Sequence, residues 1–274
     1  MVISVITLFP GVFHPLLESS ILSKAQKQGN LQINLVNLRD FGIGRYRQVD
    51  DRIYGGGVGM ILRVEPIAAA IAKSKISAKG GSLSVRQAGA LGGKNQKSKG
   101  RSPSGDLAFS PRSKVILLTP QGKTFNQKMA RRLTKEKHLI LICGKYEGVD
   151  ERVRKLADEE ISIGDYVLSG GEIAAMAVVD SVTRLLPGVL DREATKNESF
   201  TLRAERPMLG SPKAGRPPVL LEPPQYTRPE EFKGMKVPEI LLSGNHQKIA
   251  AWRRQEALKK TKKLRPDLLS LRAR

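Results

Sequence analysis

Short, nearly continuous runs of branched aliphatic residues alternate with segments of helical periodicity, and this alternation restricts the fold more than any other feature of the chain. The runs at residues 2–8, 114–118 and 139–143 read VISVITL, KVILL and LILIC. Such runs are typical of strands buried on both faces, as in a parallel sheet that helices cover on each side. The sequence therefore predicts an α/β domain with a mostly parallel sheet.

Helices are expected between and after these strands. Apolar residues recur at helical intervals at residues 12–28, 65–72, 124–134, 150–157 and 172–186. A further strand of alternating character is expected at residues 31–38. Asn245 is a candidate N-cap for a later helix whose apolar side carries Ile249, Trp252, Ala257 and Leu258. The last part of the chain is therefore predicted to be small and mainly α-helical.

The positive charge of the chain is unevenly distributed. The 47 Lys and Arg residues exceed the 26 Asp and Glu residues by 21. Residues 78–113 contain seven basic and one acidic residue, residues 201–218 four and one, and residues 246–274 ten and two, so these segments hold 17 of the 21 net charges. Nucleic acid is the favoured partner, because basic side chains displace its counterions. No basic segment has the long apolar face of a membrane-binding helix, and a merely solvated basic surface is the alternative.

Composition also predicts the domain organisation. An α/β domain is expected over residues 1–190, interrupted at residues 76–113 by a Gly-, Ser-, Lys- and Gln-rich insertion that is basic and disordered. Residues 191–218 are polar, basic and broken by four prolines, which predicts a flexible linker. Residues 219–274 form the small helical, basic domain.

Several classes of protein are excluded. The single cysteine, Cys143, rules out an intramolecular disulfide, and three scattered histidines give no metal-binding cluster. The N-terminus has no signal-peptide pattern, and no apolar run approaches the roughly 18 residues of a membrane span, so a cytoplasmic protein is expected. A nicotinamide oxidoreductase is also rejected, since neither a G-x-G-x-x-G fingerprint nor a P-loop is present.

Three glycine-containing loops follow predicted strands or lie between predicted elements. They comprise residues 119–122 (TPQG), residues 144–148 (GKYEG) and residues 162–172 (SIGDYVLSGGE). Ligands of open α/β sheets bind beyond the carboxyl ends of the strands, where small residues leave room. Each loop alone is typical of an ordinary turn, but the three loops together indicate a cofactor pocket.

Longer motifs now identify a family. They are SVITLFPGVF at residues 4–13, VDDRIYGGGVGM at 49–60, LLTPQGKTF at 117–125, CGKYEGVDERV at 143–153, SIGDYVLSGGE at 162–172, DSVTRLLPGVL at 180–190, ESF at 198–200, YTRP at 226–229 and VPEILLSGNHQKIAAWR at 237–253. In these motifs the sequence resembles the bacterial-type tRNA (guanine-N1)-methyltransferases. The resemblance covers nearly the whole chain in order, apart from the basic insertion and part of the linker.

The resemblance implies properties that periodicity does not reveal. Members of the family belong to the SPOUT methyltransferases, whose parallel-sheet domain contains a trefoil knot. They bind S-adenosylmethionine in the three loops, act as homodimers with an active site shared between subunits, and use Mg²⁺ as an aid to catalysis, although no metal ligands are identified here. The corresponding cofactor-binding residues are Leu117, Leu118, Thr119, Pro120, Gln121, Gly144, Tyr146, Glu147, Gly148, Ser162, Ile163, Gly164, Asp165, Tyr166, Val167, Leu168, Gly170 and Gly171.

The resemblance also implies the reaction and its catalytic residues. Family members methylate N1 of the guanine 3′ of the anticodon in tRNA. Because N1 of guanine carries a proton at neutral pH, the reaction needs a general base, and a cation must stabilise the charge on O6. The resemblance places the base at Glu198, where many members have Asp, and the cation at Arg184. The alternative is a noncatalytic RNA-binding protein of the same fold.

Overall fold

The computed structural model describes residues 1–77, 113–204 and 218–269, and the chain divides into two compact units. The first unit is Met1–Val189 and the second is Leu190–Arg274. Most of the predicted insertion, residues 78–112, lies outside the described residues. Of the 76–113 segment, Ile76 and Ser77 end a helix and Ser113 begins a strand.

A parallel sheet of five strands forms the centre of the first unit. The strands of this unit are β1 (Val2–Thr7), β2 (Gln32–Asn37), β3 (Asp50–Arg52), β4 (Met60–Leu62), β5 (Ser113–Thr124), β6 (His138–Cys143) and β7 (Glu159–Ser162). The sheet has the order β2-β1-β6-β5-β7, and every pairing in it is parallel. Strands β3 and β4 form a separate antiparallel pair. The predicted parallel α/β sheet is thereby confirmed.

Helices lie between the strands of this unit. They are α1 (His14–Leu17), α2 (Ser20–Lys27), α3 (Val64–Ser77), α4 (Gln127–Leu133) and α5 (Glu172–Thr183), with 3-10 turns at Pro10–Phe13, Leu38–Phe41 and Glu151–Leu156. The prediction of one helix at residues 12–28 is wrong, because Ser19 adopts an extended backbone (ψ 150°) and separates α1 from α2. The predicted helix at residues 150–157 is a 3-10 turn instead, with the Asp150 side chain accepting from the N–H of Arg152.

The sheet is covered on both faces, as its apolar strands predict. In β6, Leu139 and Leu141 pack into one core cluster, together with α2 and α5. Ile140 and Ile142 point to the other face and pack with residues of α3. All four side chains are fully buried, and burial of each contributes about 1.5–3 kcal/mol. The alternation of side chains along a strand thus divides one apolar run between two cores.

Strand β7 is not among the predicted elements. This four-residue strand lies at the edge of the sheet, and its polar Glu159 and Glu160 do not give the apolar pattern from which a strand is predicted. It pairs with β5 through an irregularity, since Ile161 faces both Leu118 and Lys123. The TPQG loop therefore bulges out of β5 instead of ending it.

The second unit is smaller and rich in helix. Its elements are α6 (Arg192–Lys196), β8 (Glu231–Phe232), β9 (Met235–Lys236), α7 (Glu239–Leu242), α8 (His246–Leu264) and a 3-10 turn at Pro266–Leu268. Asn245 caps α8 as predicted, with its side chain accepting from the N–H of Lys248 at 3.0 Å. Within the predicted 191–218 linker, residues 191–204 contain α6 and pair with residues 218–220, while residues 205–217 lie outside the described chain.

Candidate functional site

The three glycine loops lie together at the carboxyl ends of the strands of the sheet. The first is the bulge near the carboxyl end of β5, and the other two follow β6 and β7. These strands are neighbours in the order β6-β5-β7 and run in the same direction. The carboxyl ends of these strands therefore lie side by side, which is where open α/β sheets bind their ligands. The structure thus brings together the residues that the sequence proposes for the cofactor.

The first loop, residues 119–122, is fixed at both ends. A Cβ atom on Gly122 would lie 2.5 Å from the backbone nitrogen of Ile161, so the close approach of β5 to β7 requires glycine here. The guanidinium of Arg154 donates to the side chains of Gln121 and Glu160. Arg154 thereby ties the bulge to β7 from outside the sheet.

The second and third loops are joined through their backbones. The N–H of Gly171 donates to the carbonyl of Gly144 at 2.8 Å, and Lys145 forms an isolated antiparallel bridge with Gly170. A Cβ atom on Gly171 would lie 2.7 Å from the Cα of Cys143. The Gly170-Gly171 pair therefore allows the third loop to pass directly over the end of β6.

The third loop exposes its central side chains. The Ser162 hydroxyl donates to the carbonyl of Gly164 at 2.9 Å and closes the start of the loop. Tyr166 is 52% exposed and Val167 is 85% exposed, although both precede the tightly packed glycines. An exposed apolar tip on a fixed base is a surface on which a ligand or a second chain can pack.

The glycine-rich segment at residues 55–59 adjoins the second loop, a role that the sequence analysis missed. Glu147 donates its N–H to the carbonyl of Met60, and Leu62 donates its N–H to the carbonyl of Gly148. Gly59 has a φ of 89°, and its missing Cβ would lie 2.6 Å from the Cγ of Glu147. The spacing of glycines in this segment gave no sign of the contact, because its partner is nearly 90 residues away in the chain.

A buried carboxylate at the start of α5 was also missed. Glu172 is 8% exposed, and its Oε1 accepts from the Thr7 hydroxyl at 2.7 Å. A carboxylate in the first turn of a helix is stabilised by the helix dipole. Beside it, the Lys145 ammonium lies 5.1 Å from the centre of the Phe9 ring. These contacts fix the end of β1 to the loops.

Tyr146 is held in an unusual backbone conformation within the second loop. Its φ is 58°, which a non-glycine residue seldom adopts. Partial burial raises the pKa of the Tyr146 hydroxyl, the Asp50 carboxylate raises this pKa further, and Arg39 opposes them. The hydroxyl is therefore protonated at neutral pH, and it hydrogen-bonds to the Asp50 carboxylate.

Arg184 lies away from the three loops of its own chain. It follows the twelve-residue helix α5, whose first residue comes directly after Gly171. A helix of this length separates the two residues by roughly 18 Å. Near the far end of α5, Gly188 lies against Asn30, which accepts from the N-terminal amine at the start of β1. Arg184 thus lies toward the amino ends of the strands, away from the three glycine loops.

Glu198 belongs to the second unit and sits in a hydrogen-bonded turn. Its carbonyl accepts from the N–H groups of Thr201 and Leu202, both at 3.0 Å. Close by in the same unit, a groove of about 820 Å³ is lined in part by Tyr226, Arg228 and Arg253. An aromatic ring beside guanidinium groups suits the bases and phosphates of single-stranded nucleic acid.

The described residues give no support to a cysteine nucleophile or a metal site. Cys143 is 3% exposed, and burial raises the pKa of its thiol well above the ordinary value, with a further contribution from Glu172. Cys143 is therefore an inert buried thiol. Among residues 1–77, 113–204 and 218–269 there is no group of three or more His, Cys, Asp or Glu that could hold a metal ion. No helix in these ranges is long and apolar enough to cross a membrane.

Fold and loops together define an α/β protein whose three glycine loops lie at the carboxyl ends of its parallel strands, where sheets of this kind bind their ligands. Residues 1–271 match the family described as tRNA (Guanine-1)-methyltransferase TrmD. The tRNA (guanine-N(1)-)-methyltransferase of Symbiobacterium thermophilum is 48% identical over 270 residues, covering 98% of this chain and 92% of that protein. The protein of that name from Moorella thermoacetica is 46% identical over 272 residues, covering 98% and 90%. The chain belongs to the tRNA (guanine-1)-methyltransferase family.

Proposed function

We propose that the protein transfers a methyl group from S-adenosylmethionine to N1 of the guanine 3′ of the anticodon in tRNA. The observation that carries this proposal is the similarity to relatives named tRNA (guanine-N(1)-)-methyltransferase along 98% of the chain. The three adjacent loops at the carboxyl ends of the strands support the proposal, because ligands of open α/β sheets bind in that place. We further propose the SPOUT trefoil knot and a cytoplasmic setting, where such tRNA is found.

The cofactor is proposed to occupy the three loops. Gly122 and Gly171 let the backbones approach closely there. Tyr146 and Tyr166 add partly exposed aromatic rings. When bound, S-adenosylmethionine supplies the methyl group. The chain supplies a rigid pocket that excludes water and holds the donor in one orientation.

The catalytic pair is proposed to be Glu198 and Arg184. The Glu198 carboxylate accepts the N1 proton of guanine, so that the nitrogen lone pair can attack the methyl carbon. The Arg184 guanidinium stabilises the negative charge that develops on O6. The longer Glu, in place of the Asp that is common in the family, shifts the carboxylate by about one methylene group. Mg²⁺ is proposed to assist catalysis.

A homodimer with shared active sites is proposed to bring these groups together. Helix α5 places Arg184 roughly 18 Å from Gly171 in the same chain, further than an arginine side chain extends. In a dimer, Arg184 of one subunit can instead reach the loops of the other. The exposed Tyr166 and Val167 are candidates for this subunit contact.

tRNA is proposed to bind through the basic segments of the chain. Helix α8 carries Arg253, Arg254, Lys259 and Lys263, which would contact the anticodon stem. The insertion is proposed to add nonspecific affinity. Deletion of residues 88–110 should reduce the salt dependence of tRNA binding, since each lost phosphate contact lowers the slope of log K against log salt by about 0.9. An unchanged slope in filter-binding titrations would contradict this role.

The proposed function is tested with labelled S-adenosylmethionine, Mg²⁺ and two tRNA transcripts that differ only in G or A just 3′ of the anticodon. We expect methylation at N1 in the G transcript alone, mapped by nuclease digestion and mass spectrometry. Binding of the cofactor without transfer to either transcript would overturn the proposal and favour a noncatalytic RNA-binding protein. The Glu198→Asp variant serves as a matched comparison for the length of the base.

A further inference from the structure

The turn that contains Glu198 is built into a short antiparallel pairing within the second unit. Phe200 donates its N–H to the carbonyl of Leu220 at 3.1 Å, and Leu220 donates its N–H to the carbonyl of Leu202 at 2.8 Å. Arg203 and Val219 form an antiparallel bridge beyond these bonds. The backbone that follows Glu198 is therefore held by a second segment of the same unit.

Ser199 and Glu222 close this pairing with two reciprocal hydrogen bonds. The N–H of Ser199 donates to Oε1 of Glu222 at 3.2 Å, and the N–H of Glu222 donates to Oγ of Ser199 at 3.1 Å. Both bonds are partly buried, so water competes with them less than at an open surface. Phe200, the next residue, has a φ of 66°, a left-handed conformation that is unfavourable for a non-glycine residue. The surrounding bonds maintain this conformation.

The partner segment is itself anchored to the long helix. Leu221 donates its N–H to the hydroxyl of Thr261 at 2.9 Å. Thr261 is fully buried and donates to the carbonyl of Ala257, one turn earlier in α8. Leu220 is 3% exposed. A continuous series of contacts thus runs from α8 through Leu221 and Glu222 to the residue next to Glu198.

We propose that Glu222 is a positioning residue for the catalytic base. Its carboxylate holds the Ser199 N–H and so fixes the backbone direction from which Glu198 projects, before tRNA binds. This inference rests on the proposed function, in which Glu198 accepts the N1 proton. A base must lie within hydrogen-bond reach of that proton, and a misplacement of about 1 Å costs about 100-fold in rate. Glu222 acts through Ser199 and does not touch the reacting atoms.

The kinetic test compares Glu222→Ala with Glu222→Gln. The alanine variant should lower kcat about 10- to 100-fold. The Kd for S-adenosylmethionine should stay within about twofold because the proposed cofactor loops belong to the first unit. KM for tRNA should also stay within about twofold, because Glu222 is not among the residues that line the groove. The glutamine variant should recover most of kcat, since its amide oxygen still accepts from Ser199. Glu239→Ala, an exposed carboxylate in the same unit, is the matched control and should leave kcat unchanged.

Two further readouts separate positioning from other roles. Without tRNA, the peptide spanning residues 198–202 should exchange its amide hydrogens faster in Glu222→Ala than in the wild type, but not in Glu222→Gln. The acid limb of the pH-rate profile should persist in Glu222→Gln, because Glu198 remains the base. Loss of that limb would make Glu222 the proton acceptor and overturn the proposal.

Unchanged kcat or unchanged hydrogen exchange in Glu222→Ala would likewise overturn the proposal that Glu222 positions Glu198. If Glu222→Ala unfolds at the assay temperature, Ser199→Ala replaces it; that variant removes the acceptor of the Glu222 N–H and should lower kcat at constant KM. A wild-type protein that methylates neither transcript would refute the proposed function instead. The exchange measurement needs no activity, so it still decides whether Glu222 holds the turn.

Discussion

At the scale of single residues, Gly171 is a position with little freedom to change. The atoms nearest to its missing Cβ are backbone atoms of Cys143 and Gly144, at 2.7 and 2.9 Å. Backbone of a central strand cannot move aside as a flexible side chain can. Any side chain at this position must therefore separate the third loop from the second.

Replacing Gly171 with Ala should weaken S-adenosylmethionine binding at least tenfold and lower the melting temperature, because the two cofactor loops are pushed apart. Isothermal titration calorimetry and a thermal melt measure these effects. Gly11→Ala is the matched control, since nothing lies within 4 Å of its added Cβ. Equal cofactor affinity in the two variants would show that the loops adapt to the extra methyl group.

His138 is a second buried residue with a measurable consequence. Its ring nitrogens lie 2.9 Å from the hydroxyls of Ser4 and Ser113, and burial lowers its pKa from the ordinary 6.5. The unfolded chain therefore binds a proton at a higher pH than the folded chain does. The stability that depends on neutral His138 is complete above pH 6.5 and is lost as the pH falls below it.

Thermal melts between pH 7.5 and 5 test this linkage. The wild type should lose more stability over this range than His138→Gln, whose amide can bond both serines without a charge. Ser4→Ala provides a control that keeps the imidazole but removes one of its partners. Identical pH dependence in the wild type and His138→Gln would show that His138 titrates normally in the folded protein.

At the scale of elements, the start of α8 depends on Asn245. Its side chain satisfies one of the four N–H groups that the first turn of a helix leaves without a partner. Asn245→Ala should destabilise the protein by about 1 kcal/mol, whereas Asn245→Asp should retain the cap. Urea unfolding followed by circular dichroism measures the difference. Equal unfolding midpoints in both variants would mean that packing alone fixes this end of the helix.

Most elements of the sheet could be predicted from the sequence because their side chains are almost uniformly apolar. The LILIC run identifies β6, and Asn245 identifies the start of α8. Strand β7 could not be predicted, since its carboxylates hide a short edge strand. The break before α2 depends on the backbone at Ser19, and apolar periodicity passes across it without interruption.

The three loops of the candidate site could be predicted from the sequence, but the contacts between distant residues could not. The three loops carry their own glycine signals, and the parallel topology brings them to one edge. The contacts of Gly59 with Glu147 and of Thr7 with Glu172 join residues that are far apart in the chain. No local pattern encodes such pairs. The Ser199–Glu222 pair escaped prediction in the same way, because the sequence around it has the composition of a linker.

At the scale of the whole molecule, the proposed shared active site has a direct genetic test. The Arg184→Ala homodimer and the Gly171→Ala homodimer are each expected to have low methyltransferase activity. In a mixed dimer, the intact loops of one subunit meet the intact Arg184 of the other, so one of the two sites is complete. Co-expressed, differently tagged subunits should recover up to about half of the wild-type kcat. No recovery would mean that each subunit builds its site alone.

The length of α5 has a consequence for how the protein behaves when it is scarce. In the proposed arrangement, a lone chain would hold the methyl donor at one end of this helix, while its own arginine stays at the other. At concentrations below the dimer dissociation constant, the rate of modification should therefore rise with the square of the chain concentration. Occupancy of the donor site would rise only in proportion. Dilution would leave subunits that hold the methyl donor but are inactive, and the activity per subunit would rise as the protein becomes more abundant.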